Sequence, residues 1–177
     1  MSRDRMVKFT LKSTEDLAKM REAGKAVAAA LKAMKDAAQP GVSTLDLDVL
    51  AGEILACFGA VSALKNYQPP FSDIRYLHNS CISINNEVLH GVPKADRFIR
   101  DGDVVKLDIA ATFDGWCADS AITTIIGTPK SPKAEKLVSV TRASLYNAIR
   151  KAVYGNTMGD VSHAIQSHVE KNGFGVV

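Results

Sequence analysis

A chain of 177 residues with 46% hydrophobic content is long enough to bury one sizeable core and too apolar to be disordered or collagen-like. Its 22 basic and 19 acidic residues leave a net charge of +3 and alternate along the chain, so no basic block marks a direct nucleic-acid site. Residues 1–10 carry charges without an apolar run behind them, and no stretch reaches membrane-spanning length. The three cysteines, Cys57, Cys81 and Cys117, are odd in number and lack a Cys-x-x-Cys spacing. That excludes a disulfide framework and a cysteine zinc cage, and the reading is a cytoplasmic protein with no membrane partner.

Ser13 and Asp16 supply capping side chains, and Leu17, Met20, Gly24, Val27, Leu31, Met34 and Ala38 recur at threes and fours, which predicts one long helix. Pro40 and Gly41 end it. Ser43 or Thr44 caps a second helix whose buried stripe is expected at Leu47, Leu50, Ile54 and Phe58, before Gly59 stops it. From residue 61 to 127 the period changes to that of strands, expected over residues 81–84, 87–90, 103–113 and 116–126. Helices return after Ser131 and Pro132, with a predicted buried face at Leu137, Val140, Leu145, Ile149 and Ala152 and a last helix over about 160–171.

Gly41 and Gly155, Ser43 and Thr157, Asp46 and Asp160, and Gly59 and Gly173 are each separated by 114 positions. The second helical pair therefore reads as a diverged copy of the first, with one repeat over about 14–127 and a second beginning over about 131–177. In the first copy strands follow the helices. A single domain over residues 1–177, truncated on its carboxyl-terminal side, is the expectation.

The strongest chemical signal lies between residues 104 and 122. Asp114 and Gly115 are the preferred residues of a two-residue hairpin turn. If that turn forms, Phe113 pairs with Trp116, Ala110 lies opposite Asp119, and Ala121 lies opposite Asp108. The two acids then share one face as diagonal neighbours, roughly 7–8 Å apart at the backbone. Val105, Leu107, Ile109, Phe113, Trp116, Ile122 and Ile126 fall on the other face, which should pack against helices. Two close carboxylates repel and call for a cation, and hard divalent ions prefer oxygen ligands, so one ion or two could sit between them. The bland alternative, two acids facing water on an open sheet, is disfavoured because aspartate is depleted in strand interiors and neither residue sits at a turn.

Three stretches, NSCISINNEVLHGVP at 79–93, DGDVVKLD at 101–108 and DGWCAD at 114–119, together with MREAG at 20–24 and PGVST at 40–44, resemble the type I methionine aminopeptidases of metallopeptidase family M24. The resemblance spans essentially the whole chain. It implies an α+β, pseudo-symmetric pita-bread fold with an antiparallel sheet flanked by helices, here the amino-terminal half plus the helices of the second half. It implies removal of the initiator methionine from nascent proteins by water activated at two divalent metal ions, of which cobalt, manganese, iron, zinc and nickel are the candidates. Asp108 matches the aspartate that chelates one metal and Asp119 the one that bridges both. His90 matches the histidine that contacts substrate and stabilises the tetrahedral intermediate, and Cys81 and Tyr67 resemble residues lining the methionine pocket. The partners implied are the amino-terminal methionine of nascent peptides and the ribosome surface, with a monomeric full-length form.

The loop from Gln68 to Asn79 is longer than the usual bacterial version. The family's remaining ligands, one histidine and two glutamates, and its second catalytic histidine lie beyond a Gly-Phe-x-Val-Val stretch like residues 173–177, so this chain alone is expected to be inactive. His163 and His168 do not substitute, because five helical residues leave them about 140° apart around the axis. His78 reads as a surface or pocket-rim residue. A non-catalytic binding member of the fold and a proline-directed aminopeptidase are the competing expectations.

Overall fold

The computed structural model describes residues 11–177; residues 1–10, read above as lacking an apolar run, lie outside the described residues. Two helices open the chain, α1 (Thr14–Ala37) and α2 (Thr44–Cys57). Each begins with a reciprocal capping box. The Asp16 N–H donates to Ser13 Oγ at 3.1 Å and the Ser13 N–H to Asp16 Oδ2 at 2.8 Å, and Ser43 and Asp46 repeat the exchange. Small side chains carry much of the burial on these helices: Ala23, Ala26 and Ala30 on α1 and Ala51 on α2 are fully buried. The α2 stripe is accordingly rotated from the one predicted. Leu47, Ala51 and Leu55 are buried, Leu50 and Ile54 are only partly covered, and Phe58 is 42% exposed at the helix end.

The sheet is antiparallel throughout. Its centre is β3 (Val104–Phe113), flanked on one side along its whole length by β4 (Trp116–Ile125). On the other side the short strands β1 (Val61–Ser62) and β2 (Cys81–Ile84) pair with separate parts of β3. Strand β3 alternates strictly: Val105, Leu107, Ile109 and Ala111 are fully buried and face α1, while the residues between them face away. Burial of a side chain such as Leu107 or Ile109 contributes about 2 kcal/mol, so this one face anchors the core.

The strand expected over residues 87–90 does not form. Asn85 adopts a left-handed φ of 54° and turns the chain out of β2; Glu87 then folds back, its N–H donating to Ile84 O at 3.2 Å and its carboxylate accepting from the Ile84 N–H at 2.8 Å. An ion pair between Glu87 and Arg97 holds the loop there.

Helices α3 (Pro132–Lys151) and α4 (Met158–Lys171) form a second hairpin. The offset of 114 reappears in its backbone. Phe58 and Asn172 end α2 and α4 with φ and ψ of −91° and 1° and of −92° and 2°. Leu55 O accepts from Phe58 N and Ala60 N, as Val169 O does from Asn172 N and Phe174 N. The predicted α3 face is rotated, however. Contact with α4 runs through Val140, Ser144 and Ala148, and this line of spacing four turns Leu137, Leu145 and Ile149 outward, each 43–54% exposed. No helix among the described residues is long and apolar enough to cross a membrane.

Asp103, 3% exposed, closes the entry to β3 by accepting from Asn85 Nδ2 (2.8 Å), the Arg100 N–H (2.9 Å) and Lys130 Nζ (2.6 Å). Burial pushes its carboxyl up, but these donors outweigh it and hold the group below its ordinary 3.8. A depressed folded value means the contribution is present above 3.8 and lost as pH falls through the folded value. Asp103→Ala should cost about 2 kcal/mol by urea denaturation at neutral pH, and the difference from the parent should shrink under acid. A pH-independent difference would contradict this assignment.

Candidate metal centre

Asp114 and Gly115 take φ values of 46° and 79°, the left-handed pair of a type I′ turn, which only a sequence such as Asp-Gly adopts cheaply. The turn fixes the register as expected: Phe113 opposes Trp116, Ala110 opposes Asp119, and Ala121 opposes Asp108. Asp108 and Asp119 therefore stand on the face of the sheet opposite the core. Asp108 lies on the central strand between Ala121 and Cys81, its partner on β2. It is half-buried, whereas Asp119 on β4 is exposed.

Burial pushes the Asp108 carboxyl above its ordinary value, and the charge of Asp119 pushes it further, while His90 opposes both. Asp119 and His90 thus both lie within electrostatic reach of Asp108. The pair fits a hard divalent cation in charge, donor type and shared orientation, because a cation would relieve both the desolvation and the repulsion. Among the described residues no cluster of three His, Cys, Asp or Glu side chains converges on a metal position. The described residues supply this carboxylate pair and no complete cage.

His90 is placed by the loop after β2. It holds a left-handed φ of 56°, uncommon outside glycine. The next residue, Gly91, is buried against β2: its N–H donates to Ser83 Oγ at 3.0 Å and its carbonyl accepts from the Ile82 N–H at 2.8 Å. His90, Glu87, Lys94 and Arg97 line an open cleft of about 460 Å³.

Cys81 is 5% exposed. Burial raises its thiol pKa, the Tyr76 hydroxyl opposes the rise, and the charge of Asp108 adds to it, so the group is a protonated, soft, apolar surface and not a nucleophile. Tyr67, expected beside it, is 55% exposed, and Phe71 is 90% exposed. The chain reverses between them: the Asn66 N–H donates to Tyr76 O at 2.7 Å and the Tyr76 N–H to Tyr67 O at 2.8 Å. That reversal brings in Tyr76, which the sequence reading passed over. Its hydroxyl donates to Ser80 O at 2.7 Å, and its pKa is raised by burial first and then by Cys81, Asp48 and Asp108. The alternation of Tyr76, His78 and Ser80 toward β2 was the available signal. His78 packs edge-on against Tyr76 with ring centroids 5.6 Å apart, and its Nδ1 lies 3.4 Å from Asp48. His163 is exposed and His168 partly buried on α4, away from these residues.

The profile of the family described as Metallopeptidase family M24 matches residues 18–177. The chain belongs to this family. It is 46% identical over 164 residues to a methionine aminopeptidase of Aquifex aeolicus, covering 93% of this chain and 63% of that protein. It is 40% identical over 167 residues to one of Clostridium acetobutylicum, covering 94% of this chain and 64% of that protein. The chain thus spans a little under two thirds of these curated relatives. A methionine aminopeptidase of Thermotoga maritima superposes with a TM-score of 0.88 at 36% identity, covering 96% of this chain and 66% of that one. A prolidase of Pyrococcus furiosus superposes with a TM-score of 0.77 at 16% identity, over 92% of this chain and 44% of that one, which shows a shared fold alone.

The M24 fold is therefore the α+β pita-bread architecture expected from the sequence. Membership of a metallopeptidase family implies a divalent metal cofactor. In this M24 chain the carboxylate face, His90, Cys81 and Tyr76 all gather around β2 and β3, at the side of the sheet that α1 leaves open.

Proposed function

We propose that this protein is a metalloaminopeptidase that removes the initiator methionine from nascent chains, with two divalent cations held in part by Asp108 and Asp119. The observation that carries the reading is the carboxylate pair on one sheet face, flanked by His90 and Cys81, in a chain whose curated relatives at 37–46% identity are named methionine aminopeptidases. Asp108 and Asp119 would hold the cations through their carboxylates. When bound, the cations supply a Lewis acid for the scissile carbonyl and an acidified water. His90 donates a hydrogen bond to the substrate and steadies the charge that develops on its carbonyl oxygen. The Cys81 thiol and the ring of Tyr76 form apolar, polarisable walls for a thioether side chain, with Tyr67 at the outer rim. No acyl-enzyme is needed, which agrees with a protonated Cys81.

The reading includes a cytoplasmic monomer that meets its substrates at the ribosome surface, and the free state of Cys57, Cys81 and Cys117 supports a reducing compartment. Cobalt, manganese, iron, zinc and nickel are the candidate metals. Retention of Asp108, Asp119 and His90 speaks against a non-catalytic member. A proline-directed enzyme is disfavoured because its structural likeness stands at 16% identity, far below the methionine aminopeptidases.

The test is peptide hydrolysis by the full-length gene product loaded with manganese or cobalt. Release of free methionine from Met-Ala-Ser, with no cleavage of Ala-Pro, is the expected result. Cleavage of Ala-Pro alone, or no release by protein shown to hold metal, would contradict the reading.

A further inference from the structure

Asp48 on α2 is 3% exposed and is not needed to cap its helix, because Ser43 and Asp46 already satisfy that end. Its Oδ1 instead accepts three hydrogen bonds from a distant part of the chain: the Asn79 N–H at 2.9 Å, the Ser80 N–H at 2.8 Å and Ser80 Oγ at 2.7 Å. Its backbone carbonyl accepts from Asn79 Nδ2 at 3.1 Å. One turn further along α2, a Cβ on Gly52 would meet Asn79 Nδ2 at 2.7 Å, so helix and loop are pressed together here. Desolvating a carboxylate costs several kcal/mol, and three converging donors offset that cost.

The point held is where the chain enters β2. Ser80 precedes Cys81, which pairs with Asp108, and the Ser80 carbonyl accepts the Tyr76 hydroxyl at 2.7 Å. Cys81 and Tyr76 therefore both hang from the residue that Asp48 grips. We propose that Asp48 is a positioning residue: by fixing Ser80 it holds Cys81 and Tyr76 at the separation that admits a methionine side chain beside Asp108. The inference rests on the aminopeptidase reading. It assigns selectivity for the first residue to a side chain that touches neither metal nor substrate.

Two variants test it, Asp48→Asn, which removes the charge, and Ser80→Ala, which removes one of the three hydrogen bonds. In the full-length, manganese-loaded enzyme, KM for Met-Ala-Ser should rise about tenfold with kcat within about twofold, and discrimination against Leu-Ala-Ser should narrow. A fall in kcat at unchanged KM would mean a smaller active fraction, the outcome of a merely structural role, and would overturn the proposal. A second readout is independent of activity. With Cys57 and Cys117 replaced by serine, the rate at which Cys81 reacts with an aromatic disulfide reagent should rise about tenfold in either variant, since local opening by about 1.4 kcal/mol gives that factor. An unchanged thiol rate would overturn the proposal. If the parent releases no methionine yet the thiol rate rises, the aminopeptidase reading fails and the positioning of Cys81 stands. Should Asp48→Asn not fold, Ser80→Ala carries both measurements.

Discussion

Asp108→Asn is expected to lower methionine release by at least about a thousandfold, the equivalent of roughly 4 kcal/mol of lost metal-centred stabilisation. The same change should leave the metal-free protein as stable as the parent or more so. The two effects diverge because asparagine keeps the shape of the side chain and removes its charge. In the metal-free fold that charge is a liability: Asp108 is half-buried and faces the charge of Asp119. With cations bound, the proposed site makes it a ligand. A carboxylate conserved only for packing or for an ion pair would show the opposite pattern, with lower stability and little loss of turnover. Thermal melts in chelator, run beside the peptide assay, separate the two.

Gly91→Ala should be the most damaging single-methyl change near the site. A Cβ at position 91 would lie 2.2 Å from Ile82 O and 2.8 Å from both Ile82 C and Ser83 Cα, all backbone atoms of β2. None of these can swing aside as a side-chain tip can. Either β2 moves, disturbing Cys81 and its pairing with Asp108, or residues 90–92 lift away and break the hydrogen bonds from Gly91 to Ser83 and Ile82. The expected cost is about 3 kcal/mol of stability, at the upper end for overpacking. Activity should fall further than stability explains, because His90 moves with its neighbour. Urea denaturation together with kcat measured on the folded fraction checks both parts, and a variant with parental kcat would show that His90 is not held by this contact.

The contrast between what could be read in advance and what could not follows from the range of the forces involved. The β3–β4 hairpin was legible because everything it needs is local: Asp114 and Gly115 dictate the turn, and period two then carries Asp108 and Asp119 to one face. The capped starts of α1, α2 and α3 were legible for the same reason. Residues 87–90 were not. They alternate like a strand, but Asn85 in a left-handed conformation and the ion pair of Glu87 with Arg97 decide their path, and neither contact is visible in a short window. Tyr76 beside Cys81 was not legible because a chain reversal, held by hydrogen bonds between Asn66, Tyr67 and Tyr76, carries it there. Helix faces went wrong where small residues carry the packing. Ala51 on α2 and Ser144 and Ala148 on α3 make close contacts that a hydrophobic stripe does not reveal, and Phe58, Leu145 and Ile149 were credited in their place. Asp48 escaped notice altogether, since a buried acid on an amphipathic helix gives no periodic signal and its partners lie 31 and 32 residues away.

The central claim is that Asp108 and Asp119 act as one cation site, and the shift in melting temperature on adding manganese tests it most directly. In the full-length protein, manganese at a hundred times its dissociation constant should stabilise the parent by about 2.7 kcal/mol. Asp108→Asn and Asp119→Asn should each melt at the same temperature with and without the metal. A parent indifferent to manganese, or either variant stabilised as much as the parent, would contradict the account.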